Sequence, residues 1–259
     1  MMSGMSVIVT RLVASLFTSL FMCLFVSSAA FAQQPAEPPP PPRTWTGTAG
    51  AGLALTSGNS DTLTFNVAFD LTRDPKTRNV TKYKGLYIRG EEDGDATVDR
   101  TALAFRDEYA LTTRTFVFGQ IEYLRDTFKL IDYLVAPTAG IGFKVVNTDA
   151  TKFTIDAGAG VVWEKNPDMD VRTSGAVSAG EKLEHKLSAT STLKHATTAL
   201  WKTDDFGDAL YTFSIGLATK VTETVQLSVD LLDTFKNKPP TADTKKNDIA
   251  LVTSLAAKF

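Results

Sequence analysis

Residues 248–259, DIALVTSLAAKF, place Ile249, Leu251, Leu255 and Phe259 on alternate positions. Successive side chains of a β-strand point to opposite faces, so this spacing predicts a strand with one strongly apolar face. The same alternation recurs in residues 62–73, 151–163 and 224–235. No comparable stretch after residue 44 has the 3.6-residue spacing of an amphipathic helix, so this part of the chain is predicted to be all-β.

Twelve segments have this strand character, although three of them (98–112, 115–126 and 173–185) alternate poorly. The twelve are 44–57, 62–73, 79–90, 98–112, 115–126, 133–147, 151–163, 173–185, 188–200, 209–220, 224–235 and 248–259. Short connections follow the even-numbered segments, and several longer, acidic ones follow the odd-numbered segments. This arrangement is typical of outer-membrane barrels, which have short periplasmic turns and longer outer loops. Residues 44–259 are therefore predicted to form a transmembrane antiparallel up-and-down β-barrel of about 12 strands, with 10 or 14 as the alternatives.

The overall composition excludes two other classes of protein. The 259 residues are 43% hydrophobic and 22% charged, with a formal net charge of −2 and a mean hydropathy of −0.04. A bundle of transmembrane helices would be far more apolar, and a nucleic-acid-binding domain would show a basic excess. The mean hydropathy of a membrane barrel resembles that of a soluble protein, because only alternate residues of each strand face lipid.

The amino terminus has the layout of a secretory signal peptide. Arg11 precedes an apolar run over residues 12–26, and the small residues Ala30 and Ala32 flank Phe31 at the predicted cleavage site. Cleavage after Ala32 would remove residues 1–32, with an uncleaved anchor helix as the alternative. Residues 33–43, QQPAEPPPPPR, are predicted to be a proline-rich periplasmic linker. Export to the bacterial outer membrane follows from these features.

The end of the chain favours lipid over a buried core as the environment of the apolar face, the alternative being a soluble barrel or sandwich. Leu255, Ala257 and Phe259 resemble the carboxy-terminal signal that is read by the bacterial barrel-assembly machinery. Aromatic residues also fall near both strand ends, as in the girdles that flank a lipid-facing band. Those near the periplasmic end are Trp45, Phe69, Tyr83, Tyr109, Phe116, Phe143, Phe153 and Phe259, and those near the outer end are Tyr133, Trp163, Trp201, Tyr211 and Phe235.

Several short motifs in this order resemble the salt-induced outer-membrane protein family, a domain of unknown function in Gram-negative bacteria. They are Trp45 with Gly50-x-Gly52, Ser57-Gly58-Asn59, Tyr123-x-Arg125-Asp126, Gly140-Ile-Gly-Phe143, Gly158-x-Gly160, the stretch from Glu181 to His185, and Asp248 before Phe259. The resemblance covers residues 45–259. It implies an outer-membrane β-barrel with no assigned activity, and it supplies no catalytic residue.

Few residues are suited to catalysis or metal binding. The two histidines, His185 and His195, do not cluster with cysteines or carboxylates at metal-ligand spacings, so no metal or other cofactor is predicted. Ser188 or Ser191 with His195 would be the residues of a lipid hydrolase, which is the remote alternative. The acidic outer loops, with Asp168, Asp170, Asp204, Asp205 and Asp208, would either be solvated or bind divalent cations beside lipopolysaccharide.

Polar side chains of the strands are predicted to line the lumen, and their charges are mixed. The candidate lumen charges are Lys144, Asp156, Lys182, Lys194 and Asp230, joined by Asp70, Arg106, Glu108, Glu122 and Asp126. Glycine pairs such as Gly140 and Gly142 share this face and indicate either tight coiling or a path for solutes. Mixed charge fits a partly filled lumen and a non-catalytic envelope or stress-related role, whereas a narrow channel for ions or small solutes is the alternative. The predicted partners are membrane lipid, lipopolysaccharide and the assembly machinery; the oligomeric state is left open.

Overall fold

The computed structural model describes residues 44–57, 62–92 and 95–259; the predicted signal peptide and linker lie outside them. Within these ranges twelve antiparallel strands form a closed barrel, in which each strand pairs with its sequence neighbours and β12 pairs with β1. The strands are β1 (Trp45–Ser57), β2 (Thr62–Arg73), β3 (Asn79–Glu92), β4 (Asp95–Ala110), β5 (Thr115–Asp126), β6 (Ile131–Asn147), β7 (Thr151–Lys165), β8 (Arg172–Lys186), β9 (Ser191–Lys202), β10 (Asp205–Lys220), β11 (Val225–Lys236) and β12 (Asn247–Lys258). The predicted twelve-stranded up-and-down barrel is confirmed.

The outer surface of the barrel is apolar. Large side chains at odd-numbered positions are exposed there, with 61% of Leu53, 53% of Ile141 and 50% of Leu255 accessible. A water-soluble protein rarely exposes so large a continuous apolar area, and a closed barrel leaves no unpaired strand edge in lipid. The apolar face is therefore the lipid-facing face. Within the described ranges, no helix is long and apolar enough to cross a membrane.

Aromatic side chains stack on the outside near both ends of the strands. Trp45 stacks on Tyr83 at one end, with ring centroids 5.9 Å apart. At the other end Trp201 lies edge-on to Tyr211, and its indole nitrogen donates a hydrogen bond to the Tyr211 hydroxyl at 3.0 Å. Amphipathic rings at these levels suit the boundary between hydrocarbon and water.

The seam between β1 and β12 closes the barrel and includes a point of close backbone approach. The Gly47 N–H donates to the Phe259 carbonyl at 3.1 Å, and the Phe259 N–H donates to the Gly47 carbonyl at 3.2 Å. Further along the seam, a β-carbon at Gly52 would lie 1.8 Å from the Thr253 carbonyl oxygen. The backbones approach so closely at this point that only glycine fits.

Two details differ from the sequence-based expectation. Residues 201–208 were expected to form an outer loop, but β9 and β10 continue into this region and leave only residues 203–204 between them. Phe116, expected in the lipid-facing ring, points into the barrel and is 2% exposed. Strand β5 alternates poorly because Phe116 and Phe118 fill the interior while Val117 and Ile121 face lipid.

Candidate functional site

Four charged side chains close the outer end of the lumen, and we call them the outer charge cluster: Glu164 of β7, Lys202 of β9, Asp208 of β10 and Lys236 of β11. Glu164 lies 2.5 Å from each lysine nitrogen, Lys202 lies 2.6 Å from Asp208, and Lys236 lies 4.0 Å from Asp208. The four charges alternate in sign around a ring, and none is more than 5% exposed. Because the ring is neutral and every charge touches an opposite charge, it can persist without water.

Further bonds cross the same end of the barrel. Arg100 of β4 donates a hydrogen bond to Thr234 of β11 at 2.8 Å, which ties strands that are far apart around the barrel. The fully buried ammonium of Lys129, in the connection between β5 and β6, lies 3.0 Å from Asp248 of β12. It also donates to the carbonyl oxygen of Lys246 at 2.7 Å. These contacts hold the outer connections across the mouth of the lumen.

An apolar layer lies inside the barrel and packs into two clusters. One consists of Leu124, Ile131, Leu134, Ala136, Val162 and Ala176, with Ala102, Leu200 and Leu210 packed against them. The other consists of Ile88 and Val252, with Leu86, Phe128, Leu232 and Ala250 packed against them. Phe128 belongs to the connection between β5 and β6. The interior of a water-filled membrane barrel is polar, so this layer is unlike the lining of an open pore.

A second group of side chains, centred on Arg106, fills the lumen nearer the periplasmic end. Its guanidinium lies 3.7 Å from the centroid of the Phe118 ring and donates hydrogen bonds to Asp156 at 2.9 Å and Gln120 at 2.6 Å. The bond to Asp156 joins β4 to β7 across the inside of the wall. A charged group stacked on an aromatic ring and bonded to a carboxylate is well stabilised away from water.

The lumen glycines of β6 make room for these rings. A β-carbon at Gly142 would lie 2.1 Å from the Phe116 ring, and one at Gly140 would lie 2.8 Å from the Phe118 ring. Gly142 therefore accommodates an inward aromatic side chain of β5. At Gly140 the nearest atoms are backbone atoms of β7, the Ala157 carbonyl oxygen at 2.1 Å and the Gly158 α-carbon at 2.6 Å, which fits the predicted tight coiling of the strands.

A cavity of about 450 Å³ lies in the lumen and is lined by residues of β1–β6 and β9–β12. Many of the side chains around it are small, and they include Gly50, Ala68, Ala196, Ser214, Ala218, Ser254 and Ala256. The cavity extends from Gln226, one residue into β11 from its periplasmic end, to Leu210 and Thr234 beneath the outer closure. The lumen thus keeps a hollow space below its closed outer end.

The five candidate lumen charges Lys144, Asp156, Lys182, Lys194 and Asp230 all face the interior, at even-numbered positions, but they differ in their contacts. Asp156 holds Arg106, Lys182 pairs with Glu184 at 2.9 Å, and Asp230 lies on the same face of β11 as Ser228. Among the described residues, the side chains of Lys144 and Lys194 make neither a hydrogen bond nor an ion pair within 4.0 Å. The assembly-signal residues Leu255, Ala257 and Phe259 face outwards, whereas Ala30 and Ala32 lie outside the described residues.

The acidic residues near the outer connections are mostly held by bases. Arg172 contacts Asp204 at 2.7 Å and Lys238 contacts Asp205 at 2.5 Å, while Asp208 belongs to the outer charge cluster. The Ser174 hydroxyl and the Arg172 guanidinium lower the pKa of Asp204 to about 2. In the part of the chain that the structure describes, no group of three or more His, Cys, Asp or Glu residues is placed to hold a metal ion.

The histidines and serines do not form a hydrolase triad. His195 lies on the lipid-facing side of β9. Its Nε2 is 2.9 Å from Glu181, and its Nδ1 is 3.1 Å from the Ser214 carbonyl oxygen. Ser191 instead bonds to Thr219, and Ser188 lies in the turn before β9. Glu181 and His195 thus form a hydrogen-bonded pair on the lipid-facing side of the wall.

The outer charge cluster was not identified from the sequence, since its members were expected in or beside outer loops. The alternation itself could have identified three of them. Glu164, Lys202 and Lys236 occupy even-numbered positions, which continue the lumen-facing series of β7, β9 and β11. The Arg106 stack was also missed, because Phe116 was expected in the lipid-facing ring and no position was predicted for Phe118.

Several solved structures share this fold. The NanC porin matches with a TM-score of 0.55 and 9% identity, over 82% of this chain and 100% of that chain. The translocator domain of the autotransporter NalP from Neisseria meningitidis matches with a TM-score of 0.50 and 9% identity, over 85% of this chain and 90% of that chain. These likenesses show the barrel fold.

A family assignment comes from the sequence comparison. None of the curated proteins matches the sequence. One family, described as a protein of unknown function, DUF481, matches residues 49–259, which hold all of the barrel except the first residues of β1. The match covers well over half of the chain, and the protein therefore belongs to the DUF481 family.

Proposed function

We propose that this protein is an integral barrel of the bacterial outer membrane with a closed outer end and a non-catalytic role in the envelope. In this proposal it is exported after cleavage behind Ala32, is inserted by the barrel-assembly machinery, and contacts lipid and lipopolysaccharide. The stress-related, salt-induced role implied by the family resemblance is part of the same proposal. The observation that carries the proposal is the outer charge cluster, which occupies the lumen at its outer mouth.

The physical argument rests on desolvation. A solute entering from outside would have to separate buried charges that are already paired, such as Glu164 and Lys236, which are both 2% exposed. Breaking a buried ion pair costs about 3–5 kcal/mol when one partner is left unmatched. The apolar layer below offers no polar groups to replace the water that a hydrated ion would lose. Both features favour a closed barrel over an open pore.

Planar-bilayer recording of the refolded residues 33–259 tests this proposal. We expect no reproducible discrete openings from the wild type. Replacing the whole outer charge cluster with serine (Glu164→Ser, Lys202→Ser, Asp208→Ser and Lys236→Ser) removes the closure without leaving a lone charge of the ring, so openings should appear. The control replaces an exposed outer pair, Asp205→Ser with Lys238→Ser, and should stay silent. Discrete openings in the wild type would contradict the closed-barrel proposal.

A narrow channel for ions or small solutes is the second candidate function. It is favoured by the cavity of about 450 Å³, which reaches from the periplasmic end towards the outer closure. In this view the outer charge cluster would be a gate, and conductance of the wild type would be intermittent. The same recording separates the two candidates.

Deletion of Phe259 tests the proposed route of assembly. Its backbone makes two hydrogen bonds with Gly47, and its ring is 47% exposed on the outer face. We expect several-fold less barrel in the outer membrane of cells that express the truncated chain, measured as the band that shifts on boiling in detergent gels. Phe259→Tyr, which keeps an aromatic ring, is the control and should assemble at nearly the wild-type level. Normal assembly of the truncated chain would count against a signal role for this residue.

A further inference from the structure

The cavity has two chemically different ends. Its outer part is lined mainly by leucines and a valine that face the lumen, with the polar side chains of Arg100, Thr198, Thr212 and Thr234 beside them: the apolar residues are Leu86, Leu124, Leu134, Leu200, Leu210, Leu232 and Val252. Its periplasmic part is lined by charges, namely Asp70, Lys84, Glu122, Lys194 and Asp230. A concave site with apolar walls and a few polar groups at one end is the usual form of a binding site for a small organic molecule.

The charged end holds groups of both signs that lack partners of their own. Among the described residues, the side chains of Glu122 of β5 and Lys194 of β9 make no hydrogen bond and no ion pair within 4.0 Å. They lie on different walls of the cavity, whereas Lys84 and Asp70 face each other on adjacent strands at 3.7 Å. Charges that are removed from bulk water gain most from an opposite charge. A ligand bearing one positive and one negative group would satisfy both.

The length of the apolar end indicates the rest of the ligand. From Lys194 to Leu200 the strand advances six residues, or about 20 Å at about 3.3 Å per residue. The outer charge cluster stops any ligand from passing further. Apolar cavities stay dry or take an apolar guest, and a single alkyl chain can be accommodated in a space of about 450 Å³ between these leucines.

We propose that the cavity binds one single-chain zwitterionic amphiphile of the lysophosphatidylethanolamine type, which enters from the periplasmic end. The alkyl chain lies among the leucines, the phosphate faces Lys194 and Lys84, and the ammonium faces Glu122 and Asp230. This site is independent of conduction, because it needs only the cavity and not an open outer end.

Native mass spectrometry of the refolded barrel in a non-ionic detergent tests the proposal with palmitoyl-lysophosphatidylethanolamine as the probe and palmitate as the comparison. We expect one bound lipid per wild-type barrel. Ala196→Phe fills the cavity and should abolish the adduct, while Ala51→Phe makes the same change on the lipid-facing side and should leave it unchanged. Each variant is first shown to be folded by its shift on boiling in detergent gels.

The head-group assignment has its own variants. Glu122→Gln and Lys194→Met should each weaken binding of the zwitterionic probe about tenfold, which corresponds to about 1.4 kcal/mol. Palmitate should bind more weakly than the zwitterionic probe and should not respond to Glu122→Gln. An adduct that survives Ala196→Phe would be lipid bound on the outer surface of the barrel, and it would overturn the proposal. The absence of any adduct with the wild type would also overturn it. Palmitate binding as tightly as the zwitterionic probe would overturn the head-group assignment.

Discussion

Glu164→Gln should lower the free energy of unfolding by about 3–5 kcal/mol, the cost expected when one partner of a buried ion pair is removed. The substitution keeps the shape of the side chain, but it leaves Lys202 and Lys236 with only Asp208 to balance two buried ammonium groups. Glu164 contacts both lysines at 2.5 Å and is 2% exposed, so water cannot take its place. Urea titration of the barrel in phospholipid vesicles, followed by tryptophan fluorescence, measures the loss.

Two controls separate charge from shape. Glu223→Gln makes the same change in a periplasmic turn, where the side chain is 93% exposed and lies 3.5 Å from Lys220. Its effect should be within about 0.5 kcal/mol of zero. Replacing the entire outer charge cluster by leucine and methionine should restore most of the stability lost in Glu164→Gln, because a well-packed apolar substitute often equals a buried ion network. A Glu164→Gln barrel as stable as the wild type would contradict the buried-network interpretation.

Gly52→Ala should destabilise the barrel by on the order of 3 kcal/mol, which is the upper part of the range for overpacking. The new methyl group would lie 1.8 Å from the Thr253 carbonyl oxygen and 2.6 Å from the Ser254 α-carbon. Both are backbone atoms of β12, so relief requires the strands to separate where the barrel closes. The expected observation is a smaller folded fraction in detergent gels run without boiling, and a lower urea midpoint.

Gly119→Ala is the matched control. Gly119 also lies within a strand, on the lipid-facing side of β5, and a β-carbon there would meet nothing within 4 Å. We expect no loss of stability from this change. Equal behaviour of the two variants would mean that the close approach of β1 and β12 is not a constraint on folding.

The strand positions could be predicted because lipid imposes a single requirement on one face. Ile249, Leu251 and Leu255 must be apolar where they meet hydrocarbon, and the alternate positions of β12 are free to be small or polar. This contrast between lipid-facing and lumen-facing positions is strong in β2, β7, β11 and β12. It weakens in β5, where Phe116 and Phe118 are as apolar as the outward Val117 and Ile121.

The filling of the lumen could not be predicted from alternation. Charged residues near strand ends, such as Glu164 and Lys202, look the same in a solvated loop and in a buried neutral cluster. The difference arises only when β7, β9 and β11 place them side by side, and pairing of this kind depends on the register of non-adjacent strands. The fit of the Phe116 ring over Gly142 likewise requires the β5–β6 register.

The bond between Arg100 and Thr234 also bears on the order of events in assembly. The two residues are 134 positions apart in the chain, whereas every hairpin of the barrel joins residues that are close in sequence. Contacts at long sequence separation are slow to form because much of the chain must first be arranged. The hairpins can therefore appear early, whereas the bond that spans the interior waits until β4 and β11 share one closed wall. The outer mouth of this barrel can consequently be sealed only once the strands that carry Arg100 and Thr234 are in place.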